Sequence, residues 1–357
     1  MIFNTKTFYA VGQGGFYSER IWSGGTEYTI VYDCGAVVGK SLDGPTPELK
    51  MSIDNSGLEK VDFVVISHLD KDHINGLIYL EDYLKKVSAY LEDGYESPRI
   101  ILPKPSRKDL LFFFKTVPKN ILQYYYDRIL GDNRTIYVSD EDMYSDVDVW
   151  LGEKSQGGTY SHLFNFHLGS SKDSFWMLKF FVDVSKYANR STNSDKAFID
   201  GIKTLSDIND GNNQAELVKI YGMVRRGMNG SAMSMLSAPS DKTVRDQNIH
   251  KENERPFISW LNGDIFLQKR NFASIEAHYK DFLSLNIDFQ VPHHGSKENL
   301  NRLPKVLGKM RTYIWAGKEN KYNHPSKKIQ KMLKKAGLQD KPITEKDSHI
   351  IHHEEWI

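Results

Sequence analysis

Short continuous apolar runs ending in clusters of Asp, Asn, Gly and His recur toward both ends of the chain, whereas the middle has no such order. Near the start, Phe8 to Val11, a Gly12-Gln13-Gly14-Gly15 turn, Phe16 to Ile21 and Glu27 to Tyr32 read as a β-hairpin start, closing on Asp33-Cys34-Gly35. Residues 36–60, with Pro45 and Pro47, read as loop. Val61 to Ile66 is the kind of run carried by a strand buried on both faces. It leads directly into Ser67-His68-Leu69-Asp70-Lys71-Asp72-His73-Ile74-Asn75-Gly76-Leu77 and a helix-compatible stretch to about Lys86.

Residues 88–216 are mixed, with a strand-like Arg99 to Leu102 and an amphipathic piece from Leu110 to Leu130. Order returns after Leu217. Asn229-Gly230-Ser231 opens a strand from Ala232 to Leu236, and Pro256 to Leu261 ends in Asn262-Gly263-Asp264. Ile287 to Val291 precedes Pro292-His293-His294-Gly295-Ser296, and Thr312 to Ala316 precedes a loop carrying His324. A helix begins at Ser326 as N-cap, sets Ile329, Met332, Leu333 and Ala336 on one face, and stops at Gly337. The stretch with His349, His352 and His353 reads as a terminal strand. The pattern predicts one α/β domain over 1–357 with a long insertion, 88–216, inside it.

Charge and composition narrow the partners. The 47 Lys and Arg against 46 Asp and Glu give +1 overall, so any polyanion must meet a local patch; Lys297, Lys318, Lys321, Lys327 and Lys328 follow the motif loops. One cysteine, Cys34, excludes a disulfide framework and a cysteine-rich zinc site, so a metal would be held by His and carboxylates. No apolar run reaches the roughly 18 residues of a membrane span, and the N-terminal residues lack signal-peptide marks, so a cytoplasmic protein without a membrane partner is expected.

His68-x-Asp70-x-Asp72-His73 places four metal-competent side chains within six residues after a buried strand, where a loop can turn them inward. A two-metal centre needs about three protein ligands for each ion and usually a bridging carboxylate. Asp264 suits the bridge. His68, Asp70 and Asp264 would serve one metal; Asp72, His73, Asp264 and one histidine of the 293–294 pair the other. Which of His293 and His294 binds is left open. The surplus histidine, with His324, would bind a substrate phosphate or protonate the leaving oxygen, making Asp72, His294 and His324 the catalytic candidates. Asp33, at an early strand end, is expected to orient a ligand histidine by hydrogen bond.

Together these motifs resemble the metallo-β-lactamase superfamily and, within it, the soluble domain of the DNA-uptake competence protein ComEC. The matching segments run in the family's order: Val11-Gly12-Gln13-Gly14, Asp33-Cys34-Gly35, residues 67–77, Asn229-Gly230-Ser231, Asn262-Gly263-Asp264, Val291 to Ser296, and Asn320 to Pro325. They cover about 5–80 and 217–335. The resemblance implies a four-layer αββα sandwich with metals at one edge and a phosphodiesterase or nuclease activity on DNA, RNA or a nucleotide, through a metal-bound hydroxide. The superfamily's usual third histidine motif is missing, and Asn229 or Ser231 would stand in for it. Asp70 replaces the second histidine of the commoner loop, an oxygen-richer set that suits manganese as well as zinc. Two other functions remain open: a small-ester or lactone hydrolase of the phosphorylcholine-esterase kind, and a non-catalytic regulatory subunit binding a protein partner through the insertion.

Overall fold

The computed structural model describes residues 1–37, 44–90, 94–103, 127–128, 134–138, 149–152, 174–182, 232–240, 255–318, 320–340, 342–347 and 351–356. The chain begins with three long strands, β1 (Ile2–Phe8), β2 (Gln13–Ser23) and β3 (Thr26–Val37), joined antiparallel. The glycines at 14 and 15, expected in a turn, lie inside β2. The reason is that β3 runs on past Asp33, and Gly14 and Gly15 pair with Ala36 and Gly35. The connection is instead Tyr9–Gly12, closed by the Tyr9 N–H donating to the Phe16 carbonyl.

Helix α1 (Pro47–Asp54) occupies part of the expected loop. Thr46 caps it, accepting from the Leu49 N–H, and Pro47 sits in the first turn, where proline's missing donor costs nothing. Then come β4 (Phe63–Val65), the one-turn α2 (Lys71–Ile74), α3 (Leu77–Ser88) and β5 (Arg99–Pro103). The first sheet also takes β6 (Thr135–Val138) and the terminal β13 (Ile351–Trp356), in the order β13-β1-β2-β3-β4-β5-β6. From β3 to β6 neighbours are parallel, which is why β4 and β5 are apolar without alternation.

The second sheet contains β7 (Val149–Gly152), β8 (Ser174–Val182), β9 (Met233–Pro239), β10 (Phe257–Leu261), β11 (Asn286–Gln290) and β12 (Met310–Tyr313), in the order β12-β11-β10-β9-β8-β7. Its β10, β11 and β12 are mutually parallel. Strands β5 to β8 all fall within 88–216, so those segments extend the two sheets. The amphipathic Leu110 to Leu130 falls outside the described residues, apart from 127–128.

Phe8, Tyr17, Ile30 and Tyr32 of the first sheet share one buried cluster with Trp176, Leu178, Met233 and Met235 of the second, so the sheets meet face to face. Leu49, Leu77, Leu80 and Leu84 bring α1 and α3 onto the first sheet. A second cluster joins Leu236, Trp260 and Phe289 to Phe272 and Ile275 of α4 (Lys269–His278) and Ile329 and Leu333 of α5 (Lys327–Lys335). Burying Ile329 and Leu333 is worth about 1.5–3 kcal/mol each, which holds α5 against the sheet and so fixes the loop before it. The result is the mixed α/β sandwich of two sheets flanked by helices. Among the described residues no helix is long and apolar enough to cross a membrane.

Candidate metal centre

In open sheets with parallel strands, ligands gather beyond the strands' carboxyl ends. Here β4 of one sheet and β10, β11 and β12 of the other deliver four loops to one edge of the sandwich: 66–70, 262–264, 291–296 and 314–326. Backbone hydrogen bonds hold them: His293 N–H donates to Gly263 and Ser326 N–H to Gly295, joining three of the loops, and the Met233 N–H at the start of β9 donates to the Ser67 carbonyl of the fourth. Asn262 is pinned from both ends by Gln290, whose side-chain oxygen accepts from the Asn262 N–H and whose carbonyl accepts from Asn262 Nδ2.

The loop after β4 carries His68 and Asp70, and α2 carries Asp72 and His73. Asp70 is the N-cap of α2 yet makes no capping bond; its carboxylate turns to His68 Nε2 at 3.6 Å. Helix α2 lies unusually close to β3. The Gly76 N–H donates to the Cys34 carbonyl, and the Asn75 amide both donates to and accepts from Ala36, mimicking a strand neighbour. Only glycine fits at 35, since a Cβ there would stand 2.5 Å from the His73 nitrogen and the Asp72 carbonyl carbon.

Three imidazoles are anchored by Nδ1 and aim Nε2 inward. His73 Nδ1 donates to Asp33 at 2.7 Å, His294 Nδ1 donates to the Trp315 carbonyl at 2.8 Å, and His68 Nδ1 pairs with Ser67 Oγ at 2.9 Å. Such bonds fix the tautomer that leaves an Nε2 lone pair for a cation. Asp264 faces two of these and His293: its Oδ2 is 3.5 Å from His68 Nε2 and 3.6 Å from His293 Nε2, and its Oδ1 is 3.6 Å from His73 Nε2. Asp72 Oδ2 is 3.1 Å from His294 Nε2. Among the described residues two groups emerge, His68/His73/Asp264 and Asp72/His73/His294, each able to hold a metal ion.

The fit to cations rests on two atoms. His68 Nε2 and His73 Nε2 are buried and have no hydrogen-bond partner among the described residues. A buried polar atom left so costs about 1–3 kcal/mol, which a coordinated cation would remove. Backbone strain points to the same place. Every non-glycine residue with positive φ among the described ones is here: Asp33 (54°), His293 (49°), His294 (53°) and Asn323 (55°). Such conformations persist only where surrounding contacts force them, and they cluster at functional sites.

The charges respond to one another. Burial and the neighbouring His73 push the His68 imidazole down, but Asp264 and Asp70 more than offset them and raise it to about 9. Burial would lift Asp72, yet the charges of His73 and His294 bring it down to about 2. Burial also raises the Asp264 carboxyl, and His293 and His68 overcome this to hold it well below its usual range. In the metal-free protein, His68 therefore stabilises the fold fully below about pH 6.5 and loses that contribution as pH rises through about 9. A cation needs the bare Nε2, so its binding must expel the proton, and affinity climbs as pH rises toward 9. Zinc titration calorimetry at pH 7 in buffers of differing ionisation enthalpy is expected to report release of about one proton or more; uptake or no exchange would contradict it.

Of the residues singled out from the sequence, His68, Asp70, Asp72, His73, Asp264, His293 and His294 meet at this edge. The histidine pair divides: His293 faces Asp264 Oδ2, on the His68 side, and His294 faces Asp72. His324 stacks on His293 with centroids 5.6 Å apart, its buried Nδ1 without a hydrogen-bond partner among the described residues. Burial, then the charges of His294 and His293, push it down to about 4. Asp33 touches the centre through His73 and also accepts from Ser67 N and Oγ. Asp33→Asn is expected to weaken metal affinity roughly 10- to 100-fold by releasing the His73 ring, read by competition with a chromophoric chelator on variant protein whose circular dichroism shows it folded; wild-type affinity in the folded variant would contradict an orienting role. Asn229 and Ser231 lie outside the described residues. Ser67 and the Trp315 carbonyl were not anticipated; Ser67 precedes the motif and was legible in principle, whereas a backbone carbonyl carries no sequence signal.

No family model and no curated protein matches the chain. Among solved structures it is similar to a diphosphatase of the PhnP family, at 12% identity over 100% of both chains with a TM-score of 0.41. It is also similar to unliganded yeast PDE1, at 11% identity over 94% of each chain with a TM-score of 0.40. A third is the metallo-β-lactamase fold protein YhfI from Bacillus subtilis, at 11% identity over 86% of this chain and 78% of the other with a TM-score of 0.35. Sheet order and site define the class: a two-sheet α/β sandwich with His/Asp groups that can hold metal at the carboxyl ends of its parallel strands.

Proposed function

We propose that the chain is a two-metal-dependent phosphodiesterase acting on a nucleic acid or nucleotide. The observation that carries this reading is that the Nε2 atoms of His68, His73 and His293 converge on the two oxygens of Asp264, with His68 and His73 held in place through Nδ1. His68, Asp70 and His293 would hold one divalent ion with Asp264 Oδ2; Asp72, His73 and His294 would hold the other with Oδ1. Zinc and manganese both suit this mixture of nitrogen and oxygen donors. When bound, such a pair lowers the pKa of water and neutralises charge developing on an ester under attack.

The chain's own residues supply orientation and access. Asp33 and the Trp315 carbonyl keep His73 and His294 in the tautomer that presents Nε2. Asp72 and His293 are partly exposed, whereas His68, His73 and Asp264 are buried, so substrate meets the centre from the Asp72 and His293 side. His324, neutral at pH 7, stands beside both histidines of the pair, placed to hydrogen-bond an oxygen of the ester. The exposed Lys297 and Lys321 in the adjoining loops support an anionic phosphate ester over a neutral carboxylic ester. Cytoplasmic nucleotide or nucleic-acid turnover is the setting we propose, with the likeness to the competence-protein domain resting on motif order alone.

Hydrolysis of bis(p-nitrophenyl) phosphate by zinc- or manganese-loaded protein, with Asp72→Ala as control, tests the reading. Turnover that Asp72→Ala abolishes supports it. Turnover of aryl esters or lactones without the phosphodiester would move the substrate class, and neither metal uptake nor turnover would leave a binding protein.

A further inference from the structure

Tyr322 is 73% exposed, and its ring lies beside His324 at the margin of the candidate centre. A single exposed aromatic is ordinary on a protein surface; what sets Tyr322 apart is that its loop is pinned and its ring continues a row of rings that leads to the candidate centre. The loop is fixed. Asn320 accepts from the His324 N–H at 2.8 Å and donates through Nδ2 to the His324 carbonyl at 2.7 Å, spanning Tyr322 like a clasp. Asn323 takes a left-handed conformation between the two rings, and the Ser326 N–H is tied to Gly295 of the histidine-pair loop.

The rings form a row. Tyr322 lies 5.9 Å from His324 at a tilt of 38°, and His324 stacks on His293 at 5.6 Å and 29°. His293 Nε2 then reaches Asp264 at 3.6 Å. A substrate with its ester over Asp264 and His293 therefore meets, on its way out to solvent, first an imidazole and then an exposed phenol face. Two ring spacings, 5.6 and 5.9 Å, separate His293 from Tyr322, a reach that suits the base of an extended nucleotide or of the next nucleotide along a strand, and an aliphatic chain would gain little from such a face. Lys321, Lys327 and Lys328 are exposed on the same segment, which favours an anion over a neutral aromatic.

We infer that Tyr322 is a specificity-determining residue that stacks against the base of a nucleotide-type ester, making nucleotides or single-stranded nucleic acid the substrate class. This rests on the phosphodiesterase reading of the adjoining centre. Base–aromatic stacking tolerates any base, so the platform selects for the presence of a base and not for its identity.

The probe is 2-aminopurine deoxyribonucleoside 5′-monophosphate, whose fluorescence falls when its base stacks, titrated into zinc-loaded wild type, Tyr322→Ala and Tyr322→Phe. Wild type is expected to quench it saturably, Tyr322→Phe to keep the quench, and Tyr322→Ala to lose it with affinity down about tenfold. Equal quenching by wild type and Tyr322→Ala, or none by wild type, would overturn the assignment. Wild-type hydrolysis of bis(p-nitrophenyl) phosphate, run alongside, separates the two failures. Hydrolysis without quenching removes the base platform and leaves the phosphodiesterase; quenching without hydrolysis keeps the platform and removes the catalytic reading.

Discussion

Asp264→Ala is expected to lose metal from both halves of the centre and to cut phosphodiester hydrolysis by about a thousandfold or more, because several kcal/mol of charge stabilisation at the reacting ester go with the ions. The size of the effect follows from position. Asp264 is 4% exposed and faces His68 and His293 with one oxygen and His73 with the other, so its loss leaves three imidazoles without a common anion. Asp264→Asn keeps the volume and removes the charge. It should fail nearly as badly, which separates electrostatics from packing. Metal content after equilibrium dialysis and kcat/KM on a simple diester check the pair, and either variant retaining two ions would contradict a bridging role.

Gly35→Ala should be the second most damaging change, although residue 35 touches no substrate. The added methyl would sit 2.5 Å from the Asp72 carbonyl carbon and the His73 nitrogen and 2.6 Å from the Asp72 oxygen, all backbone atoms that no side-chain rotation can move aside. Helix α2 must shift, carrying two donors with it. A displacement on the order of 1 Å costs about a hundredfold in rate, and overpacking costs about 1–3 kcal/mol of stability. Urea unfolding and kcat/KM, measured together, are expected to fall together. Activity within threefold of wild type would mean that α2 is not held by this contact.

How far this arrangement can be read from sequence differs element by element. The His68 to His73 cluster is legible because β4 is apolar and short, so the next residues must lie at a strand end. Asp264 and the histidine pair follow the same rule after β10 and β11. Their convergence is not legible, since it depends on two sheets packing with the carboxyl ends of their parallel strands on one edge, a relation between residues some two hundred positions apart. The division of His293 and His294 is hidden for a local reason. Both take positive φ, a conformation in which histidine is enriched among non-glycine residues yet still uncommon, so the letters alone do not announce it.

The missed elements have physical causes too. Pro47 signals a loop when read alone but also suits the first turn of a helix, and Thr46 was the cap that decided it. Strand β8, Ser174–Val182, is nearly continuous apolar sequence, a pattern that does not distinguish a buried strand from a buried helix. Gly14 and Gly15 read as a turn because glycine breaks strands in isolation; here they permit β2 to lie close against Asp33 of β3 and against α2.

The most direct test is an anomalous-scattering map from crystals grown with zinc or manganese. Two peaks roughly 3.5–4 Å apart are expected, one within bonding distance of His68 Nε2 and Asp264 Oδ2 and one within bonding distance of His73 Nε2, Asp72 and His294 Nε2. Peaks elsewhere on the protein, with His68 and His73 still ringed around an empty Asp264, would contradict a shared metal centre.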